Sequence, residues 1–522
     1  MTSPAQKDSP AAATETTALT EGPNFDTVVQ ERLGQFNRYS LFTLIMIEAA
    51  MAVVAGSMLS PTYHKIAPIW ECLDTDSSYN LSDCRCINRS YSTGVSGFNS
   101  ISLSFYLVCN QTYLTTLLGT LIMIGGLIGA TFFGDFADRF GRKLGGGITL
   151  AGTLAATFIF SFSTSFLMSC IFIIFIGFFG GGYMVVGIVT VIEYVGRRYR
   201  LLVSCFHGWP YGLMLMALIG YLAKDWRTYH LVYGVIGLPF LVFWLLVVES
   251  PRWQIRMNRL EEAMITIQKI ADFNRKPDHT ISMKDLEEVY KVESINRLKC
   301  KDYNYLDLFR QQPLRTNIIT LTFLWFCSGL ISWGIYSNLS FLPGNVYLNV
   351  FFSGLSKAVA GFFVPMVLNL WFGRRPILLC GMVVVGISMW GIAIVNMTQA
   401  QVGLFGSLVT AFAVIGVGAV DPTWKINHLY ANELFPTVVR NMANAVCNMG
   451  SRISSIIAPN VAYMTEYYAA APYIVFGILA IAEFVVAWIF IPEMKDKPLA
   501  DNLPPVTTTT TEPDRERNES RI

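Results

Sequence analysis

The sequence predicts an all-α membrane protein of twelve transmembrane helices in two six-helix halves. Three observations predict it. The 522-residue chain is 53% hydrophobic and only 14% charged, whereas soluble domains carry about 25% charged residues. Its apolar residues fall in blocks of about 20, the length that crosses roughly 30 Å of hydrocarbon. The blocks also divide six and six around one long charged segment, 249–315.

The blocks lie near 40–60, 113–133, 144–164, 166–192, 201–223, 229–248, 316–336, 347–370, 377–397, 402–431, 441–463 and 472–491. Uninterrupted apolar runs signal helices, because barrel strands alternate and a helix satisfies its own backbone in lipid. The chain then divides into an N-terminal tail (1–39), a first half (40–248), a central loop (249–315), a second half (316–493) and a C-terminal tail (494–522). The first 35 residues are polar and rich in Thr, Ala and Pro, and read as a disordered tail, as does "PPVTTTTTEPDRERNES" at the other end. The central loop holds helical patches such as "RLEEAMITIQKIADF".

Basic residues orient the bundle. With both termini cytoplasmic, only Lys65, Arg85, Arg89, Lys224 and Arg227 of the 38 Lys and Arg fall outside, and Lys357, Lys425 and Arg452 fall within spans. All the others are inside, as the positive-inside rule requires. The net charge of +2 hides this local sorting. Segment 61–112 is then an outer loop. It holds Cys72, Cys84, Cys86 and Cys109, which in an oxidising exterior suggest two disulfides of open connectivity. It also carries glycosylation sequons at Asn80, Asn88 and Asn110. Further sequons at Asn338 and Asn396 sit close to helix ends.

The halves repeat each other. "FGRK" (Phe140–Lys143) returns as "FGRR" (Phe372–Arg375), Glu193 with Arg200 returns as Glu433 with Arg440, and Glu249 is echoed by Glu493. Markers at nearly one offset indicate duplicated six-helix units.

"GDFADRFGRK" (Gly134–Lys143) resembles the G-x-x-x-D-R-x-G-R-R/K signature of the major facilitator superfamily. The resemblance implies a gate built from Gly134, Asp138, Arg139, Gly141 and Arg142, with Gly134 and Gly141 permitting close packing and a tight turn and Asp138 meeting Arg142 or a helix end. Glu193, Arg200, Glu433 and Arg440 are added to the gate as the repeated acid–base markers. In the second half the position matching Asp138 is Leu370, which breaks the mirrored pair. "VVESPRW" (Val247–Trp253), "GNVYLN" (Gly344–Asn349) and "NELFPTVVRNM" (Asn432–Met442), with the cysteine-bearing first outer loop, resemble the organic cation, organic anion and carnitine transporter family. The likeness covers about 40–495, although "PEMKDKPL" departs from the family's usual ending. It implies a plasma-membrane carrier that binds a small organic ion.

Ionisable groups at mid-bilayer each cost roughly 2.5–3.5 kcal/mol, so each needs a reason. Arg452 lies twelve residues past Arg440 and Asp421 twelve before Glu433, which puts both near the midplane. Lys425 is an i,i+4 neighbour of Asp421, Glu48 lies in the first span, Lys357 in the eighth and Glu483 in the twelfth. The facilitator resemblance places Glu48, Lys357, Asp421, Lys425 and Arg452 on cavity-lining helices and leaves Glu483 a structural role. It also makes the Arg452 position acidic in cation carriers and arginine in anion and carnitine carriers. A guanidinium fork suits a carboxylate or sulfate. Asp421 is expected to orient Arg452 when the site is empty, with Lys425 reinforcing the field. Trp333 and Tyr336 are the expected aromatic cavity residues, and His207, alone in the fifth span, reads as simply hydrogen-bonded.

The expected function is therefore alternating-access transport of small organic anions or zwitterions such as carnitine-like compounds. An organic cation or sugar porter, or a non-transporting receptor or scaffold, are the alternatives. No Ser-His-Asp set, metal-ligand cluster or nucleotide loop appears in the sequence, so neither an enzyme, a metal, a cofactor nor a nucleic-acid partner is expected. A coupling ion, H+ or Na+, is left open. The expected partners are the substrate and the lipid bilayer.

Overall fold

The computed structural model describes residues 25–73, 89–94, 96–276, 281–300, 304–310, 312–368, 371–398, 403–436 and 439–495. Twelve helical segments follow the twelve apolar blocks. They are α1 (Arg38–Met58, extended by Pro61–His64), α2 (Tyr113–Phe140), α3 (Arg142–Phe160), α4 (Phe166–Tyr194), α5 (Arg200–Cys205 and Trp209–Ala223) and α6 (Trp226–Ile236 and Leu238–Leu246). The second set is α7 (Leu314–Asn338), α8 (Val346–Phe363), α9 (Arg374–Met397), α10 (Leu404–Glu433), α11 (Arg440–Tyr463) and α12 (Ala471–Phe490). Several start at side-chain caps that satisfy the first free N–H groups. Asn37 accepts from Ser40, Ser165 from Met168 and Asp225 from Thr228.

Eleven of these segments are long and apolar enough to cross a membrane. The other is α11. Its length of 24 residues suffices, but Asn444, Asn448, Arg452 and Ser455 run along it at helical spacing, and the first three are half-buried. A polar stripe of this kind belongs to a helix that faces a polar interior rather than lipid.

The halves meet through α2 against α11 and α5 against α8. They also touch at the end of the bundle that carries a two-stranded hairpin, β1 (Ile69–Cys72) and β2 (Arg89–Ser92), antiparallel with Ile69 opposite Ser92. At this hairpin end Thr62 Oγ1 donates to the Tyr336 carbonyl at 3.1 Å, Tyr347 Oη donates to the Ser96 carbonyl at 3.1 Å, and the Tyr63 and Tyr347 rings lie 5.9 Å apart. Asn80, Asn88, Cys84 and Cys86 lie outside the described residues, whereas Asn110 is exposed. Asn338 and Asn396 are buried, and the Asn396 amide donates to the Ala469 carbonyl at 3.2 Å. Neither is open to a glycan in this arrangement.

At the opposite, linker end the central segment forms helices Pro251–Arg256, Leu260–Phe273 and Met283–Cys300. Here one expectation is corrected. Residues from Asp26 to Leu33 are helical, and Phe25, Val28, Val29 and Leu33 are buried against Ile267, Ile270 and Tyr194. The overall polarity of the tail hid this i, i+3, i+4, i+8 apolar stripe.

Candidate functional site

Two charged assemblies stand out, one in mid-bundle and one at the linker end. The linker-end assembly is built twice. Arg142, at the start of α3, reaches Asp138 at 2.6 Å and Glu193 of α4 at 3.1 Å. Glu249, just past α6, accepts the Arg142 N–H at 2.8 Å and the Lys143 N–H at 3.2 Å. In the second half Arg374 reaches Glu433 at 2.9 Å, and Glu493 accepts the Arg374 and Arg375 N–H groups at 3.1 and 2.9 Å. Each carboxylate sits on the N-terminus of a helix, where unpaired N–H groups and the helix dipole favour negative charge. Burial pushes the Glu249 carboxyl up against these hydrogen bonds. Burial acts upward on Glu493 too, but its backbone donors outweigh it and hold that carboxyl below the usual range.

The expected gate residues divide. Asp138, Gly141, Arg142, Glu193 and Glu433 join these networks. Arg139 points away, pairing with Asp135 at 2.9 Å on the surface. Arg200 pairs with Asp26 at 3.2 Å, and Arg440 donates to the Phe435 carbonyl at 3.4 Å. A Cβ on Gly134 would stand 3.8 Å from Val185, an ordinary contact, so close packing does not require glycine there. Gly141 is different. Its φ is +111° and a Cβ would lie 2.3 Å from Glu249 Oε2. Gly141→Ala is expected to destabilise the protein by about 1–3 kcal/mol from backbone strain alone. Thermal unfolding of the purified variant checks this, and an unchanged midpoint contradicts it.

The mid-bundle assembly centres on Asp421 of α10. Lys357 Nζ of α8 lies 2.9 Å from its Oδ1, and Lys425 Nζ lies 2.9 Å from its Oδ2. Lys425 also donates to the Gly361 carbonyl at 2.7 Å and to the Cys205 carbonyl at 3.1 Å. The latter bond crosses from the second half to α5 in the first. Gly361 makes room for it: a Cβ there would fall 1.8 Å from Asp421 Oδ2. Tyr336 is buried, with its ring 5.4 Å from Lys357 Nζ. Trp333 is half-buried and packs edge-on against Trp209 of α5 at 5.4 Å.

The expected Asp421–Arg452 partnership is not made. Asp421 is held by two lysines, and Arg452, half-buried on the polar stripe of α11, has no ion pair among the described residues. Depth along two helices had matched them, but rotation about each axis decides who meets, and Asp421 turns toward α8. Glu48 of α1 is buried, accepts the Gly208 N–H at 2.6 Å and lies 3.2 Å from His207 Nδ1. His207 is thus paired with a carboxylate, not a lone hydrogen-bonding ring. Glu483 accepts from Ser328 Oγ of α7 at 2.5 Å, fixing α12 to α7.

Sequence reasoning missed three features. α5 is broken at Phe206–Gly208, between its two segments. The signal was there in "FHGWP", a Gly and a Pro inside an apolar block. His428 lies two turns past Asp421 on α10 and is exposed, with its ring 4.1 Å from Trp325 and 5.6 Å from Trp424. Gly361 carried no sequence signal at all, because its role lies in a contact between helices.

A family model described as Sugar (and other) transporter matches residues 73–502. Mouse solute carrier family 22 member 4 is 29% identical over 408 residues, covering 78% of this chain and 72% of that protein. Organic cation/carnitine transporter 4 of Arabidopsis thaliana is 27% identical over 508 residues, covering 95% and 93%. The inward-open structure of the xylose transporter XylE from E. coli superposes with a TM-score of 0.62 at 17% identity, covering 88% of this chain and 96% of that one, which shows the fold. The chain therefore belongs to the sugar (and other) transporter family, and is a multi-pass membrane transporter with the twelve-helix major facilitator fold rather than an enzyme.

Proposed function

We propose that the protein carries small organic anions or zwitterions, such as carnitine-like compounds, by alternating access, with Arg452 holding the anionic group. The observation that carries this reading is the half-buried guanidinium of Arg452 on a polar helix face, with no ion pair among the described residues while Asp421 is engaged by Lys357 and Lys425. That cluster holds two cations against one carboxylate, so it adds to a field that favours anions. Trp333 and Trp424, both half-buried, offer apolar faces for the body of the substrate. The Arabidopsis relative named for organic cations and carnitine supports an organic ion as the cargo. The two halves rock about this layer, opened and closed at the linker end by the paired networks of Arg142 and Arg374.

A cation reading draws on Glu48, a buried carboxylate in the same layer. Uptake into proteoliposomes of an aryl carboxylate, an aryl sulfate, carnitine, tetraethylammonium and glucose separates the readings. Uptake of the anions or carnitine above tetraethylammonium and glucose is expected. The reverse order contradicts the proposal.

The same reading places both termini and the linker helices in the cytoplasm of a plasma-membrane protein, with the hairpin outside. The outer segment 61–112 then carries glycans at Asn80, Asn88 and Asn110 and disulfides among Cys72, Cys84, Cys86 and Cys109. Support comes from the exposure of Asn110 and from the absence of Cys109 among the free cysteines of the described residues.

A further inference from the structure

The short helical turn Pro61–His64, at the end of α1, touches both halves where the hairpin end is shut. Pro61 packs with Pro459 of α11 over Gly119 of α2. Thr62 donates to the Tyr336 carbonyl of α7, and the Tyr63 ring lies against that of Tyr347 of α8. His64 ties the same turn into the first half. Its Nε2 lies 3.0 Å from His230 Nε2 of α6. The Phe160 ring of α3 stands 5.6 Å from His64 and 4.5 Å from His230, and the Trp226 ring 6.5 Å from His64. Both histidines are buried, and both Nδ1 atoms have no hydrogen-bond partner among the described residues.

The neutral pair holds two protons, one of them shared between the Nε2 atoms. A third leaves a charge in an apolar pocket where neither Nδ1 finds an acceptor, and a fourth points two N–H groups at each other. The surrounding groups do not balance that charge. Tyr63 donates to the Met216 carbonyl of α5 at 3.4 Å, and Tyr229 of α6 donates to the Gly56 carbonyl at 2.8 Å with Tyr233 stacked behind it. Arg227 lies over the Trp226 ring and donates to the Ser163 carbonyl at 3.0 Å. Asp225, at the start of α6, takes the Asn99 amide and the Thr228 N–H. Lys65, next in the chain, is buried and interacts with Glu466 past α11. Two cations therefore flank the pair, and its own nitrogens meet no carboxylate among the described residues.

We propose that His64 and His230 form a pH-sensitive latch at the hairpin end. Neutral, the pair seats the turn and keeps the two halves shut there. Protonated, it releases the turn, and the hairpin end opens. The sign follows from the proton count. The open arrangement puts the imidazoles in water and binds more protons than the shut one, so acid on the hairpin side favours opening. The proton returns to the side it came from. The latch thus sets which way the cavity faces and does not drive the cargo. It is independent of the anion reading, because no group on Arg452 enters the argument.

The test uses the purified full chain in lipid nanodiscs. Donor and acceptor dyes are carried by unnatural amino acids at Tyr106 and Tyr467, which are exposed on the first and second halves at the hairpin end. Single-molecule energy transfer reads the ratio of open to shut protein. Between roughly pH 7.5 and 5.5 that ratio is expected to rise at least about tenfold, the gain for one imidazole that titrates near its ordinary value of about 6.5 in the open form and takes no proton in the shut one. In His64→Phe/His230→Phe, whose rings suit the same apolar pocket, the ratio is expected to stay constant with pH. In Lys65→Met/Glu466→Gln the wild-type response is expected to remain, which separates the histidines from their charged neighbours. A ratio that ignores pH in the wild type, a response that survives loss of both histidines, or one that disappears with Lys65 and Glu466 overturns the proposal. The wild type and the Lys65→Met/Glu466→Gln variant decide the matter even where the histidine variant does not fold.

Discussion

Asp421→Asn is expected to cost the protein about 3–5 kcal/mol, the range for breaking a buried ion pair from one side. Domains are stable by only about 5–15 kcal/mol, so most of the variant should aggregate or unfold when extracted into detergent. The reason is local. The Lys357 and Lys425 ammonium groups each lie 2.9 Å from the carboxylate in a buried setting, and the amide leaves them facing each other without a counter-charge. Lys425 keeps two carbonyls, whereas Lys357 keeps, among the described residues, the face of Tyr336. Adding Lys357→Met to Asp421→Asn should therefore recover most of the loss, a coupling that a double-mutant cycle reads directly. Wild-type thermal stability in the single variant would mean that the cluster does not hold α8 to α10.

The cluster shows where sequence stops being informative. Apolar block length located all twelve helices, because lipid leaves a backbone few other options, although α2 runs on to Phe140, about two turns past its block. The i,i+4 spacing of Asp421 and Lys425 foretold their contact, since one helix fixes both side chains. Duplication marked residues of the linker-end networks but not their pairing: Arg142 meets Glu193 and Glu249, and Arg374 meets Glu433 and Glu493. Partners on different helices were not legible. Depth matched Arg452 to Asp421, yet Lys357 of α8 is the residue that arrives. Helix rotation is set by packing across the bundle, and Gly361, whose missing Cβ admits Asp421, is one of the residues that sets it. Local irregularity was equally hidden. The break in α5 lies inside an apolar block, and the short helical stretch from Asp26 lies inside a polar tail.

The second large effect concerns Arg452, on which the functional reading turns. Truncating a charge that meets an oppositely charged partner costs about 2–5 kcal/mol. Arg452→Lys keeps the charge and loses the planar fork, so it should weaken anion uptake without abolishing it. Arg452→Asp reverses the charge and should turn the site toward cations. The deciding measurement is uptake of an aryl carboxylate and of a quaternary ammonium ion of similar size, side by side, in wild type and in Arg452→Asp reconstituted at equal protein. The anion-to-cation ratio is expected to fall by roughly thirty-fold or more, the equivalent of about 2 kcal/mol. An unchanged ratio in a variant that unfolds at the wild-type temperature would make Arg452 a structural residue and contradict the anion assignment.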